Sequence, residues 1–148
     1  MVVKDDTDKV ETGKLDEMAA GAQARTDLPP LAVPGHDTPK KVEFAIGEGS
    51  TRRVKAEVLD RFIIGRADEG EEHRLGLDLG PHGGLDNGVS RHHAVIEQRG
   101  RQLYILDFGS TNGTRINGLN LKPDKLYRLR TDDELELGLV RVVIRFSE

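Results

Sequence analysis

The chain has no cysteine and no tryptophan among its 148 residues. Without thiols it can build no disulfide framework, no thiolate metal site and no cysteine nucleophile. No hydrophobic run approaches the ~20 residues needed to cross a bilayer as a helix. The opening MVVKDDTDKV offers neither a basic start nor an apolar core, so a secretory leader is not expected and the cytoplasm is the expected compartment. A basic excess is also missing. The formal net charge is −4, whereas a general nucleic-acid binder presents a basic face. Neither nucleic acid nor membrane is therefore expected as a partner. Arginines at positions 66, 91, 115 and 128 nevertheless suit a local basic pocket for one specific anion.

What is present divides at about residue 40. Residues 1–40 keep no sustained period of 2 or 3.6. Leu15–Ala24 has room for a turn or two of helix, but Gly13, Gly21, Pro29, Pro30, Pro34 and Pro39 interrupt the surroundings. Such a stretch buries too little apolar surface to offset its ordering entropy, and it reads as a flexible, disordered N-terminal tail. From Lys41 onward apolar residues alternate, first at Val42, Phe44 and Ile46, then at Val54, Ala56 and Val58. Further short segments follow at Arg61–Ile64, Leu75–Leu79, His93–Gln98, Gln102–Asp107, Thr114–Asn117, Leu119–Lys122, Leu126–Leu129 and Glu134–Leu137, and the last carries Val140, Val142, Ile144 and Phe146 on one face. About eleven short strands, with Gly, Asn, Asp and Pro between them, predict an all-β antiparallel sandwich over residues 41–148. The polar stretch Asp68–His73 and the Gly-rich stretch Pro81–Val89 read as loops, where binding residues tend to sit.

Three groups lie at the ends of predicted strands. Gly65-Arg66 closes one; Ser90-Arg91-His92-His93 opens another. Asp107-Phe108-Gly109-Ser110-Thr111-Asn112-Gly113-Thr114 follows a third, with Asn117-Gly118 soon after. Together they offer guanidinium groups, hydroxyls and turns whose amides can point outward. A phosphate dianion asks for that chemistry: several acceptor oxygens and about −1.5 to −2 charge, held best by charge-assisted donors.

The ordered pattern G-R, S-R-x-H, D-x-x-S-x-N-G-T-x-x-N resembles the signature of forkhead-associated (FHA) domains and covers roughly residues 41–147. The resemblance implies an eleven-stranded sandwich whose loops at one end bind phosphothreonine in preference to phosphoserine. It implies that Arg66 pairs with the phosphate, that Ser90 donates its hydroxyl, and that Thr111 adds a backbone or hydroxyl donor. Asn112 would hold the peptide main chain, and Arg91, in a slot where the family varies, would strengthen the phosphate contact. His93 resembles the family's internal histidine, and Gly65, Asp107, Gly113 and Asn117 would support the loops. Gly88 falls where some relatives carry a side chain that reads the third residue after the phosphothreonine, so the peptide preference stays open.

Simpler accounts exist for several of these residues. Asp107 and Ser110 are of the type that stabilises turns through backbone amides, and Asn-Gly is a hairpin signal in its own right. Ser90, His93 and Asp107 supply the residue types of a hydrolase triad but lack a nucleophile elbow and an α/β context, so no enzyme is expected. His73, His82, His92 and His93 match no zinc spacing, so no metal or other cofactor is expected. The expected partners are a phosphothreonine-containing protein and a Ser/Thr protein kinase. Thr12, Thr26 and Thr38 are candidate phosphorylation sites through which the tail could occupy the domain's own pocket. The rival expectation is a phosphate-independent scaffold that binds through a face of the sandwich.

Overall fold

Alternation at Val42, Phe44 and Ile46 places those three side chains inside, between two sheets, with Lys41 and Glu43 turned outward. The computed structural model describes residues 28–147, and among them eleven strands repeat that arrangement. They are β1 (Lys40–Ile46), β2 (Arg52–Val58), β3 (Arg61–Gly65), β4 (Leu77–Asp78), β5 (His92–Arg99), β6 (Gln102–Asp107), β7 (Thr114–Ile116), β8 (Leu119–Asn120), β9 (Tyr127–Leu129), β10 (Asp133–Leu137) and β11 (Val140–Phe146). Helical turns among the described residues are confined to three short 3-10 segments, at Glu48–Ser50, Glu72–Arg74 and Gly80–His82. None is long and apolar enough to cross a membrane.

One sheet has the order β9-β6-β5-β3-β4 and the other β2-β1-β11-β10-β7-β8. Pairing is antiparallel with one refinement to the sequence expectation: β3 and β4 run parallel, through Ile64↔Leu77 and Gly65↔Asp78. Two residues of β4 suffice for this, so the intervening loop needs no crossover helix. The inner faces interdigitate, and the rings of Phe44 and Phe62 stack across the layers with centroids 5.6 Å apart. Each fully buried Leu, Ile or Phe contributes about 1.5–3 kcal/mol of transfer free energy, which makes this core the rigid support on which the loops stand.

The packed part of the chain begins earlier than residue 41. Leu31 bridges Arg99 in antiparallel fashion, the Ala32 N–H donates to Gln98 O at 2.9 Å, and Ala32 is only 4% exposed. Arg99 Nη1 also donates to Pro29 O at 3.2 Å. Residues 28–39, expected in the tail, thus lie as a strap against the far end of β5. The prolines hide this in the sequence, because they break any periodic pattern while leaving Leu31 and Ala32 free to pair. Thr12 and Thr26 lie outside the described residues, whereas Thr38 is exposed at the same far end, its carbonyl accepting from Gln98 Nε2 at 2.9 Å.

Candidate functional site

At the end of β3 the chain passes so close to the start of β5 that only glycine fits. A Cβ on Gly65 would lie 1.8 Å from Arg91 O. This approach lets the Arg66 N–H donate to both Ser90 O and Arg91 O, each at 3.1 Å. The Arg66 side chain is anchored as well, with Nε donating to Val89 O at 3.1 Å. Its two terminal nitrogens keep no protein partner among the described residues, so the guanidinium is aimed but unspent.

Ser90 is held from both sides. Its N–H donates to His93 Nδ1 at 3.0 Å, and its Oγ accepts from the Thr111 N–H at 3.1 Å. A hydroxyl that accepts in this way still has its own proton to give. Thr111 therefore spends its backbone donor on Ser90 in the free protein and leaves its hydroxyl for other contacts. His93, with 0% exposure, crosses between the loops: beyond Ser90 it reaches Gly113 O from Nε2 at 2.8 Å. Burial pushes its pKa below the ordinary value, and the Gly113 bond and the nearby Asp107 carboxylate only partly oppose that.

The loop after β6 is organised by buried Asp107. Its carboxylate accepts from the Ser110 N–H at 3.1 Å, from the Ser110 hydroxyl and from the Thr114 hydroxyl at 2.7 Å. Ser110 Oγ in turn accepts from Gly113 N at 2.9 Å. The loop is thus a closed ring of hydrogen bonds that presents Thr111 and Asn112 at its crest. Thr114 closes this ring; the sequence places it in the motif after Asn-Gly but gives it no role, because its hydroxyl meets Asp107 only once the loop has folded.

Asn112 donates from Nδ2 to Gly88 O at 2.9 Å. Gly88 has φ +78°, and a Cβ there would meet Asn112 Nδ2 at 2.5 Å. The position that could carry a reading side chain in relatives is therefore occupied by Asn112 itself. Asn117 is not brought to this cluster. It sits at the opposite end of β7, about 10 Å away along three residues, where its side chain bonds Asp133 Oδ1 and the Glu134 N–H, both at 3.0 Å. It pins the β7–β8 hairpin to β10 and gives the loops around Ser90 and Thr111 no direct support.

Two clefts flank the Ser90–Thr111 contact. One, of about 280 Å³, is lined by Arg66, Asp68, Glu71, Arg74, Arg91 and His92. In it Arg91 Nε faces Asp68 Oδ1 at 3.4 Å, with both side chains largely in solvent. The other, of about 350 Å³, runs past Asn87, Gly88, Asn112, Gly138 and Leu139. Leu139, 75% exposed, forms its lip and is fixed by the bond from its N–H to Asn87 O at 2.8 Å. In sequence Asp68 is marked only as the start of a polar loop and Leu139 not at all, because their place in the clefts depends on where distant loops meet. Phe108, within the motif, is also exposed, at 53%, and its ring meets that of His92 edge-on.

The triad geometry is not formed. His93 Nδ1 takes the Ser90 amide and not its hydroxyl, His93 Nε2 serves Gly113, and the Asp107 carboxylate serves Ser110 and Thr114. These contacts build a support and no proton relay.

Comparisons with known proteins agree with the geometry. The family model described as FHA domain matches residues 62–138. The chain is 52% identical over 50 residues to protein FraH of Nostoc sp., a match that covers 34% of this chain and 17% of FraH. It is 38% identical over 58 residues to the oxoglutarate dehydrogenase inhibitor of Corynebacterium jeikeium, covering 39% of this chain and 38% of that protein. The matched segments are thus well under half of each curated relative. Among solved structures, an FHA domain studied for phosphothreonine-dependent interactions is 28% identical, with TM-score 0.56, over 73% of this chain and 98% of that one. The FHA domain of FhaA, solved in complex with the intracellular domain of Rv3910, is also 28% identical, with TM-score 0.54, over 70% of this chain and 99% of that one.

Proposed function

This chain belongs to the FHA-domain family, whose members are interaction modules and not enzymes, and on that premise we propose that it recognises phosphothreonine on a partner protein as an adaptor in Ser/Thr kinase signalling. One observation carries the reading. Arg66 is anchored through Nε at Val89 O with its terminal nitrogens unspent among the described residues, and Ser90, the next residue after Val89, has a hydroxyl that accepts from Thr111 and still has its proton to give. A fork of N–H donors next to a hydroxyl donor matches a phosphate better than a carboxylate or a neutral side chain. Arg91 adds charge from the next residue, Thr111 adds its hydroxyl, and Asn112 stands ready for peptide main chain. The threonine preference rests on membership of the family.

The test is a titration with phosphothreonine, phosphoserine and unphosphorylated versions of one peptide. Binding confined to the phosphothreonine peptide, weakened about tenfold or more by Arg66→Ala and by Ser90→Ala, supports the reading. Equal binding of all three peptides, or binding that both substitutions leave untouched, overturns it in favour of a phosphate-independent scaffold that uses a sheet face.

Regulation by the protein's own N-terminal segment is a second reading, sharpened by where that segment joins the sandwich. Leu31 pairs with Arg99, and β5 then runs eight residues, about 24 Å, toward Ser90. From Leu31, Thr26 commands at most about 17 Å of extended chain and Thr12 about 60 Å. Thr38 is held at the far end by Gln98. Phosphorylated Thr12 can therefore reach its own pocket, where tethering supplies an effective concentration near millimolar; Thr26 and Thr38 serve only another molecule. Phosphorylation at Thr12 should lower the apparent affinity for an added phosphopeptide at least tenfold, and phosphorylation at Thr26 should not. No change with Thr12 fully phosphorylated would exclude the switch.

A further inference from the structure

The strand β2 is an edge of its sheet. It pairs with β1 through seven consecutive residues, Arg52↔Ile46 to Val58↔Lys40, without a register shift. Its other edge has no strand partner among the described residues. Long regular edges invite pairing, and proteins often blunt them with proline, a bulge or charged side chains. This edge carries no proline and no bulge, and its charges are of both signs. Its sequence is Arg52-Arg53-Val54-Lys55-Ala56-Glu57-Val58.

That order of charges is self-complementary. When two copies of β2 run antiparallel about a two-fold axis at Ala56, Lys55 of each faces Glu57 of the other, and the two alanines meet at the centre. On the inner side, the half-exposed Val54 and Ala56, which already pack against the core, gain cover. Directly opposed unlike charges favour a pair and like charges oppose it, so this register is selected over one centred on Lys55, which would set two lysines face to face. Beside the edge lies a cleft of about 540 Å³ along Lys41, Glu43, Lys55, Glu57 and Arg145, with room for the lysine stems of a second copy. We infer that β2 is a homodimer edge, joining two sandwiches into one continuous twelve-stranded sheet. The Arg52 end of β2 is the end nearer the binding loops, since Ile46 and Val142 pair beside it. An antiparallel two-fold therefore points the two loop clusters in opposite directions, and the dimer would join two separate ligands instead of embracing one.

Sedimentation equilibrium of the full chain across protein concentration tests this, independently of phosphopeptide binding. The expected mass rises with concentration toward twice 16.3 kDa. Lys55→Glu and Glu57→Lys should each weaken the dimer about tenfold, because each turns two attractive pairs repulsive. Mixing those two variants should restore association, since the mixed pair places opposite charges across both contacts. Unchanged far-ultraviolet dichroism and melting temperature of the dilute variants would show that folding is intact. A chain that stays monomeric up to about millimolar concentration, as is relevant to tethered or crowded partners, or a dimer that both reversals leave unchanged, overturns the proposal.

Discussion

The backbone N–H of Ser90 donates to Nδ1 of His93 at 3.0 Å, and this fixes the state of the imidazole. An amide can only donate, so Nδ1 is bare and the ring proton sits on Nε2, where Gly113 O receives it. Protonating Nδ1 would remove the acceptor and place a charge in an enclosed site. Burial accordingly holds His93 below its ordinary pKa of 6.5. The unfolded chain then takes up this proton more readily than the folded one, so the stability His93 contributes is present above about pH 6.5 and is lost as pH falls through its lower folded value. Melting temperature followed from about pH 8 to about pH 5 should be level at first and then decline. His93→Gln should lower stability throughout and flatten that decline. A wild-type profile level to pH 5 would contradict this role.

Asp107 gathers the hydrogen bonds of the loop after β6 on its carboxylate. Removing its carboxylate strands the Ser110 amide and hydroxyl and the Thr114 hydroxyl, and a buried donor left unmet costs about 1–3 kcal/mol. Asp107→Ala is expected to lose about 2–4 kcal/mol in urea unfolding, and Asp107→Asn, which keeps one oxygen, less. A loss below about 0.5 kcal/mol for the alanine variant would mean that the loop finds its bonds elsewhere.

Arg91 already has an anionic neighbour in Asp68. On the proposed function, a phosphate entering the cleft must share or displace that carboxylate, which makes Asp68 an internal competitor for Arg91. Exposed ion pairs of this kind are worth about 0.2–1 kcal/mol. Asp68→Ala should therefore tighten phosphopeptide binding about two- to fivefold, with the gain shrinking at high salt. Arg91→Ala should remove the benefit. Weaker binding by Asp68→Ala, measured calorimetrically, would assign Asp68 a direct contact with the peptide.

Gly88→Ala should reduce peptide affinity through Asn112. The methyl group adds the strain of φ +78° and intrudes on Asn112 Nδ2, so the loss should be several-fold in the wild-type background. In an Asn112→Ala background the same substitution should cost clearly less affinity, because the side chain it displaces is gone and only the backbone strain remains. Additive losses in the double-mutant cycle would separate the two positions.

Sequence legibility followed the range of the interactions involved. β6 was predicted residue for residue as Gln102–Asp107, since five alternating or apolar residues end at an aspartate that starts a turn. β4 was overextended: Leu75–Leu79 reads as a strand, yet only Leu77 and Asp78 pair, where the returning loop touches β3. Arg66, Ser90, Thr111 and Asn112 are visible in sequence because their chemistry lies in local motifs. Asp68 and Leu139 become cleft walls only through topology, and Asn117, inseparable in sequence from the Asn-Gly motif, is carried away by the length of β7. The strap at residues 28–39 was obscured for a different reason, since its two pairing residues lie among prolines.

The pairing of Leu31 with Arg99 has a mechanical consequence. The chain joins the sandwich at one pole, and the candidate ligand site lies at the other, with β5 spanning the distance between them. A pull between a tethered N-terminus and a partner held in the loops loads β1 through the chain itself and, through the Leu31–Arg99 bridge, β5 lengthwise. Its hydrogen bonds to β3 and β6 lie across that direction, so they must shear together and cannot open one at a time. The grip is therefore expected to fail before the sandwich does.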